Sequence, residues 1–532
     1  MQRFVRVPTL LLRRLFAGTE RGMRSRHLSC AMALCALLPL TACHERPERD
    51  TVVIDIESSP TNLDIRIGSD AQAEHIGALL FDSMVRKDEH YNLQPSIATA
   101  WEWRDPLTLV LHIRDGVHFH DGKLLDAGDV AWSIESMHNG AITTSKSGNY
   151  ASVDHAEVLD AHTCVVHLKK PDASLLFNMS DELSAVVEKG AGKAMGEHPI
   201  GTGPFRFVSE EQDKDVVLER NVDYWGGAPK IPRVRFAIVP DAITRALELQ
   251  KGSADAASNA LTGDTVAVMQ KDSNLVVEAK PGSIVLYITF NVTDPQMRDP
   301  RVRQAFAYAV DRPAIIEALY HGKAETQETL LPNGHWASPA KGDALTHYTH
   351  NVAKARELLE AAGYHADRNG TRIHLTLKSS TDDTMRLLAA VVQQQVRDAG
   401  IDLSLRQNEF GTFYSDVTKG AFQMYVLRWV GSNEDPDIFR YAYSSAMMPP
   451  KGSNRGHYSK ARVDALLAQG AAEIDTAKRR AIYLEVQRIL SEEEPTLVLW
   501  SPDNIVVHTK RVHGVVPASS GSFAWLRTAT LQ

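Results

Sequence analysis

The stretch Ile373–Leu405, "IHLTLKSSTDDTMRLLAAVVQQQVRDAGIDLSL", decides the fold class. Apolar residues alternate in "IHLTL" and again in "IDLSL", the period of a half-buried strand. Between them "TMRLLAAVVQQQVRDAG" reads as a helix. Strand, helix and strand make one βαβ unit, whose crossover is expected to be right-handed. The loop "KSSTDD", Lys378 to Asp383, joins the first strand to the helix. Strand carboxyl ends and helix N-termini meet ligands in open α/β sheets, which makes Lys378 and Asp382 candidate ligand residues. The competing reading is that Thr381 or Asp382 only caps the helix.

Neighbouring segments carry similar punctuation. "DPRVRQAFAYAVDR" begins with Asp299 as a cap and Pro300 at the first helical position. In "NVAKARELLEAAGY", Val352, Ala355, Leu358, Leu359 and Ala362 keep one face apolar and Gly363 ends the helix. Towards the N-terminus, "TVVIDI" reads as a strand, "AEHIGALLFDSMV" as a helix and "LTLVLHIRDGVHF" as a half-buried strand. The chain is therefore expected to be strand-rich at first and α/β from about residue 284.

"WVGSNEDPD", Trp429 to Asp437, follows the apolar run "FQMYVLRW". An aromatic, a Gly-Ser-Asn turn and three carboxylates are thus expected at a strand end, where ligands bind in α/β sheets.

The chain has 532 residues, too many for one hydrophobic core, and a net charge of −8. Residues 1–42 carry seven Arg, no Lys and one acid, Glu20; without them 51 basic stand against 65 acidic residues, a net charge of −14. That acidity argues against a nucleic-acid partner. From Met23, "MRSRHLSCAMALCALLPLTAC" has a basic start, an apolar stretch and a small-residue end, the pattern of a secretory signal. Residues 1–22 add nothing to it, so Met23 is the expected start. Of the four cysteines, Cys30 and Cys35 fall inside this signal and Cys43 at its end. Cys164 remains, in the alternating "HTCVVHL", and is expected to be a buried strand residue.

Several fragments resemble catalytic or cofactor motifs and fail. "GAGKA" at Gly190 lacks the first glycine and the Ser/Thr of a phosphate loop, and "GTGPF" at Gly201 lacks a third glycine. His118, His120 and Asp121 in "HFHDG" fall short of the three or four converging ligands a metal needs. No HExxH or GxSxG occurs, and Ser432 lacks the second glycine of a nucleophile elbow. No cofactor, metal or catalytic residue is expected.

Taken in order, the segments "HIRDGVHFHDGKLLDAGDVAWSIE", "PIGTGPFRF", "NVDYWGGAPKIPRVRF", "FNVTDPQMRDPRVRQAFAYAVDR", "AKARELLEAAGY", "DPDIF" and "RRAIYLEVQRILSEEEP" are similar to the extracytoplasmic solute-binding proteins of ABC transporters, in the dipeptide, oligopeptide and nickel-binding branch. The resemblance spans nearly all of the chain after the signal. It implies an α/β fold of two lobes, of the type II periplasmic-binding kind with an extra small domain and a ligand cleft between the lobes. The implied parts are a discontinuous first domain (51–75, 200–280 and 503–532), a small second domain (76–199) and a third, α/β domain (281–502). Residues 1–42 would be the signal and 43–50 a tether. Leu40-Thr41-Ala42-Cys43 resembles the bacterial lipobox, which implies lipidation at Cys43 and a membrane-anchored periplasmic location, with a plain signal peptide cut near Ala42 as the alternative; the family resemblance implies a monomer that serves a membrane permease.

The resemblance also frames the ligand. Peptide-binding relatives place an aspartate three residues after the tryptophan corresponding to Trp429, where it pairs with the peptide's ammonium; here the position is Ser432, with Glu434 or Asp435 near enough to substitute. Dipeptide-binding relatives carry an arginine in the loop corresponding to Lys378–Asp383, where this chain offers Lys378. The expected ligand-binding set is Trp429, Ser432, Asn433, Lys378, Asp382 and the facing segment Glu57, Ser58 and Ser59. The expected solute is a peptide or peptide-like molecule, with a sugar, a metal chelate or a non-transport envelope role as alternatives.

Overall fold

The computed structural model describes residues 50–68, 70–181, 184–429 and 434–532. Its βαβ unit is built from Ile373–Ser380, the helix Asp383–Val396 and Ile401–Asn408, with the strands parallel and paired from Ile373↔Ile401 to Ser380↔Asn408. The first strand runs three residues beyond its alternating core. Met385, Leu388, Ala389, Val392 and Val396 recur at helical spacing and are buried against the sheet. Asp382 caps the helix, accepting a hydrogen bond from the backbone N–H of Met385 at 3.1 Å.

This unit forms one end of a sheet in which twelve described strands take part. From Ile401–Asn408 the order runs through Ile373–Ser380, Met424–Trp429, Val285–Phe290 and Thr496–Thr509, then to Ala256–Ser258, Thr51–Ile56, Arg233–Ile238, Asp215–Arg220 and Phe205–Glu211. The strand Thr496–Thr509 joins the halves. Its first residues pair with Val285–Phe290, and its last pair with Ala256–Ser258 and Leu275–Pro281. A separate antiparallel sheet orders Ala98–Asp105, Thr108–Ile113, Thr163–Leu168 and Val153–Asp160.

Buried apolar side chains cluster by chain segment. One cluster draws on residues 52–81, 185–256 and 506–529, a second lies within 84–186, and two more lie within 285–500. Cys164 is buried in the second, opposite Leu111, and burial pushes its thiol up to about 12. A structural thiol so placed is inert. Among the described residues no helix is long and apolar enough to cross a membrane.

The caps expected at Asp299 and Gly363 are present: Asp299 accepts from Arg301 N at 2.9 Å, and Gly363 has φ +90° just after the helix Val352–Ala361. The helix expected over "AEHIGALLFDSMV" is shorter, Ala71–Leu80, and Val85–Lys87 is a strand. Asp82 supplies the reason. Its buried carboxylate accepts from Tyr224 Oη and Trp225 Nε1, both at 2.9 Å, and from Thr202 Oγ1 and Arg86 Nη2, both at 3.1 Å. Four donors from outside the helix outweigh continuation of one turn. His120 is likewise a structural residue: Gly201 N donates to its Nδ1, so Nε2–H donates to Gly203 O at 3.1 Å, and burial lowers its pKa to about 4.

Candidate functional site

Trp429 ends the strand Met424–Trp429 as expected and pairs with Val285 at the start of the neighbouring strand. The two-residue period of both strands puts Trp429, Tyr287 and Tyr425 on one face. The Trp429 ring lies 6.2 Å from Tyr287 and meets Tyr441 edge-on at 6.2 Å. Together with Tyr443, Tyr458 and Asn454, the Trp429, Tyr287 and Tyr425 side chains wall a small, partly open pocket with a cavity volume of about 20 Å³. It is an aromatic chamber with polar hydroxyls and room for about one water molecule.

Further along the chain, the three acids of "NEDPD" are each matched by a cation of the protein. Glu434 forms an ion pair with Lys87, which comes from the strand Val85–Lys87, and the Lys87 ammonium also lies 5.2 Å above the Phe177 ring. Burial alone would raise the Glu434 carboxyl; Lys87 and a hydrogen bond from Ser283 bring it below its usual value. Asp435 is held by Arg479 through two hydrogen bonds and also accepts from Ser174 at 2.9 Å. Asp437 pairs with Arg440 and accepts from Tyr483 Oη at 3.3 Å. These carboxylates tie together distant chain segments.

Around Glu434 the walls come from three places in the chain. His335 accepts from Ala337 N on Nδ1, so its Nε2–H donates to the Glu434 carbonyl at 2.8 Å. Burial lowers its pKa to about 4, keeping the imidazole neutral. Tyr91 packs its ring 5.3 Å from His335, and its hydroxyl hydrogen-bonds Ser519 of the C-terminal segment. Burial, with the Glu434 charge, pushes that phenol up to about 12. His90 and Trp336 add a backbone hydrogen bond of 3.1 Å beside them. The neutral His and Tyr leave Lys87 and Glu434 as the charged pair of this wall.

The other expected ligand residues have partners elsewhere. Lys378 lies inside its strand and pairs with Asp416 at 2.7 Å, and Asp382 serves as the helix cap. Glu57 lies 3.7 Å from Arg245, and Ser59 Oγ accepts from Asp213 N at 2.9 Å, while Ser58 is exposed. No hydrogen bond, ion pair or ring contact joins any of these to Trp429 among the described residues. Ser432 and Asn433 lie outside the described residues, as does Cys43. The residues that the sequence reading missed are Lys87, Tyr91, Ser174, His335 and Arg479. Each sits in an ordinary strand, loop or helix, and only the fold brings it to the acids. Among the described residues no group of three or more His, Cys, Asp or Glu side chains is placed to hold a metal.

Residues 92–447 match the family described as bacterial extracellular solute-binding proteins, family 5 Middle. The glutathione-binding protein GsiB of Shigella dysenteriae serotype 1 is 27% identical over 515 residues, which cover 94% of this chain and 98% of that protein. HbpA2 from Haemophilus parasuis is similar in structure, with a TM-score of 0.80 and 26% identity over 91% of this chain and all of HbpA2. NikZ from Campylobacter jejuni, solved in complex with Ni(L-His), gives a TM-score of 0.73 at 25% identity, again over 91% of this chain and all of NikZ.

Proposed function

The chain belongs to the bacterial extracellular solute-binding proteins of family 5, a two-lobed α/β fold with a ligand cleft, and on that premise we propose that it captures a peptide or peptide-like solute and delivers it to an ABC-type membrane permease. The observation that carries the peptide reading is the likeness to GsiB, a glutathione-binding protein, along almost the whole chain. NikZ bound to Ni(L-His) supports a second reading, in which this scaffold takes a small chelate.

Function here is capture by closure. A ligand between lobes shifts the equilibrium towards the closed form only through contacts made in that form, and the permease then reads it. The proposed domains are the discontinuous 51–75, 200–280 and 503–532, the small 76–199 and the α/β 281–502. Trp429, Ser432 and Asn433 on one side and Glu57, Ser58 and Ser59 on the other are the proposed ligand contacts, with Lys378 and Asp382 at the rim. Lipidation of Cys43 would anchor a monomer at the periplasmic face of a membrane, and one acyl chain alone would not suffice for stable anchoring.

Native mass spectrometry of protein purified without refolding tests this, together with thermal-shift and calorimetric panels of di- to hexapeptides. A co-purified peptide mass and saturable peptide binding are expected. Silence across the peptide panel beside tight binding of Ni(L-His) or a sugar would overturn the peptide reading.

A further inference from the structure

Two stretches of chain cross between the halves of the large sheet. Leu275–Pro281 ends its pairing with Thr496–Thr509 at Pro281↔Asp503, and Val285–Phe290 begins its own at Leu286↔Trp500. Residues 282–284 are therefore one crossing and residues 501–502 the other. Gly282 N donates to the Pro502 carbonyl at 3.1 Å, which ties the crossings together. That approach requires a glycine: a Cβ on residue 282 would meet the Pro502 carbonyl oxygen at 2.7 Å and Asn504 Nδ2 at 3.2 Å. When two lobes are joined by such crossings, their relative motion has to be absorbed there.

A third piece of chain lies against both crossings. Residues 516–522 form neither helix nor strand, and each end is held in the core built from residues 52–81, 185–256 and 506–529. Val515 and Phe523 are buried in that core, with the Phe523 ring 4.8 Å from Phe236. Asn504, two residues past the second crossing, donates from Nδ2 to the carbonyls of Ala518 at 2.8 Å and Ser519 at 2.6 Å. Ser283 N, in the first crossing, donates to the same Ser519 carbonyl at 3.0 Å. Asn504 is fixed from its other side as well, because its Oδ1 accepts from Asn259 Nδ2 at 2.9 Å. Asn259 in turn brackets Ile505: its N–H donates to the Ile505 carbonyl and its Oδ1 accepts from Ile505 N, each at 2.8 Å. Ser283 and Asn504 are both buried, so neither exchanges these bonds for water without cost.

We propose that residues 516–522 are a strap across the hinge, with Asn504 as its positioning residue, and that the strap limits how far the lobes open when the cleft is empty. This rests on the hinge-closure reading and adds a restraint at the hinge itself. Opening swings Ser283 with the α/β lobe, whereas the strap stays with the core that holds Val515 and Phe523. The bond from Ser283 N to Ser519 O must then stretch, or the strap must leave Asn504. Either way buried hydrogen bonds oppose wide opening.

Small-angle X-ray scattering and amide hydrogen exchange of the unliganded protein test this. Asn504→Ala removes both side-chain donors to the strap. It is expected to enlarge the radius of gyration and to speed exchange of the Ser283 amide by about tenfold, while Ile373–Ser380 and Arg233–Ile238 exchange as in the wild type. Gly282→Ala forces the crossings apart and should act in the same direction. Glu434→Gln is the comparator, since its contact with Lys87 joins other segments. A larger radius for Glu434→Gln beside an unchanged one for both hinge variants would overturn the strap and leave hinge closure intact. An unchanged radius in all three variants would overturn both. Faster Ser283 exchange at an unchanged radius would make the loop a structural brace only, which also overturns the proposal. In the wild type the Ser283 amide should exchange as slowly as those of Val285–Phe290; unprotected exchange there overturns the strap whether or not the variants fold.

Discussion

Arg479 and Asp435, 44 residues apart, form a buried two-bond ion pair, with Nη1 at 2.9 Å from Oδ2 and Nη2 at 2.8 Å from Oδ1. Ser174, 261 residues before Asp435, completes the group: its hydroxyl accepts from Arg479 Nη2 and donates to Asp435 Oδ1, each at 2.9 Å. One residue earlier, Ala173 N donates to Ala471 O at 2.9 Å. Chain segments that follow the four-stranded sheet are thereby fastened to the α/β part six residues beyond Trp429.

Removing one partner should be costly because the other stays buried. Arg479→Met is expected to lower unfolding free energy by about 3–5 kcal/mol, and Ser174→Ala by about 1–2 kcal/mol, read from urea denaturation. Burial opposes the Asp435 charge, yet Arg479 and its hydrogen bonds hold the carboxyl below its ordinary 3.8. A depressed folded pKa means that this stabilisation is complete above about pH 4 and lost as pH falls through the folded value. Equal stability of Arg479→Met and wild type at pH 7 would contradict the structural role.

Lys87 and Glu434 should bias closure. They stand 347 residues apart, both partly shielded from water, so their attraction resists salt better than a surface pair does. Glu434→Gln weakens a contact made only when the two segments meet, which lowers the population of the closed form. Small-angle X-ray scattering of the unliganded variant should give a larger radius of gyration, and solute affinity should fall several-fold. An unchanged scattering curve would show that closure does not depend on this pair.

Asp55 offers a pH signature. It is fully buried in the strand Thr51–Ile56, with neither carboxylate oxygen hydrogen-bonded among the described residues, and burial, reinforced by Glu248, raises its pKa to about 7. A carboxyl with a raised folded pKa binds its proton more tightly in the folded state. Its contribution is therefore fully present below the unfolded value near 3.8 and is lost as pH rises through about 7. Asp55→Asn should match wild type near pH 4 and exceed it at pH 8 by up to about 4 kcal/mol, the free energy of a three-unit shift. Parallel curves of Tm against pH for the two proteins would refute this.

What was legible in the sequence was local. Alternation marked Ile373–Leu377 and an apolar run marked Met424–Trp429, and the caps at Asp299, Asp382 and Gly363 could be read because each acts within a few residues. The helix ending at Leu80 was misjudged because its stop signal is tertiary: Asp82 turns towards Thr202, Tyr224 and Trp225. The partners of the acids were hidden for the same reason. No period or spacing relates Lys87 to Glu434 or Ser174 to Asp435, since only the assembled segments bring them within hydrogen-bond distance.

Ser432 provides the sharpest test of the peptide reading. It stands three residues after Trp429, where the resemblance to peptide-binding members of the family implies an ammonium-pairing aspartate, and its hydroxyl cannot supply a full charge. The acids that follow do not replace one, because Glu434 and Asp435 are already matched by Lys87 and Arg479. Ser432→Asp is therefore expected to improve affinity for free-amine peptides by roughly tenfold, the effect of one added charge-assisted hydrogen bond. N-acetylated versions of the same peptides lack the ammonium and should gain nothing. If acetylated and free peptides gain equally, or neither gains, the amine does not bind beside Trp429, and the ligand lies in another orientation.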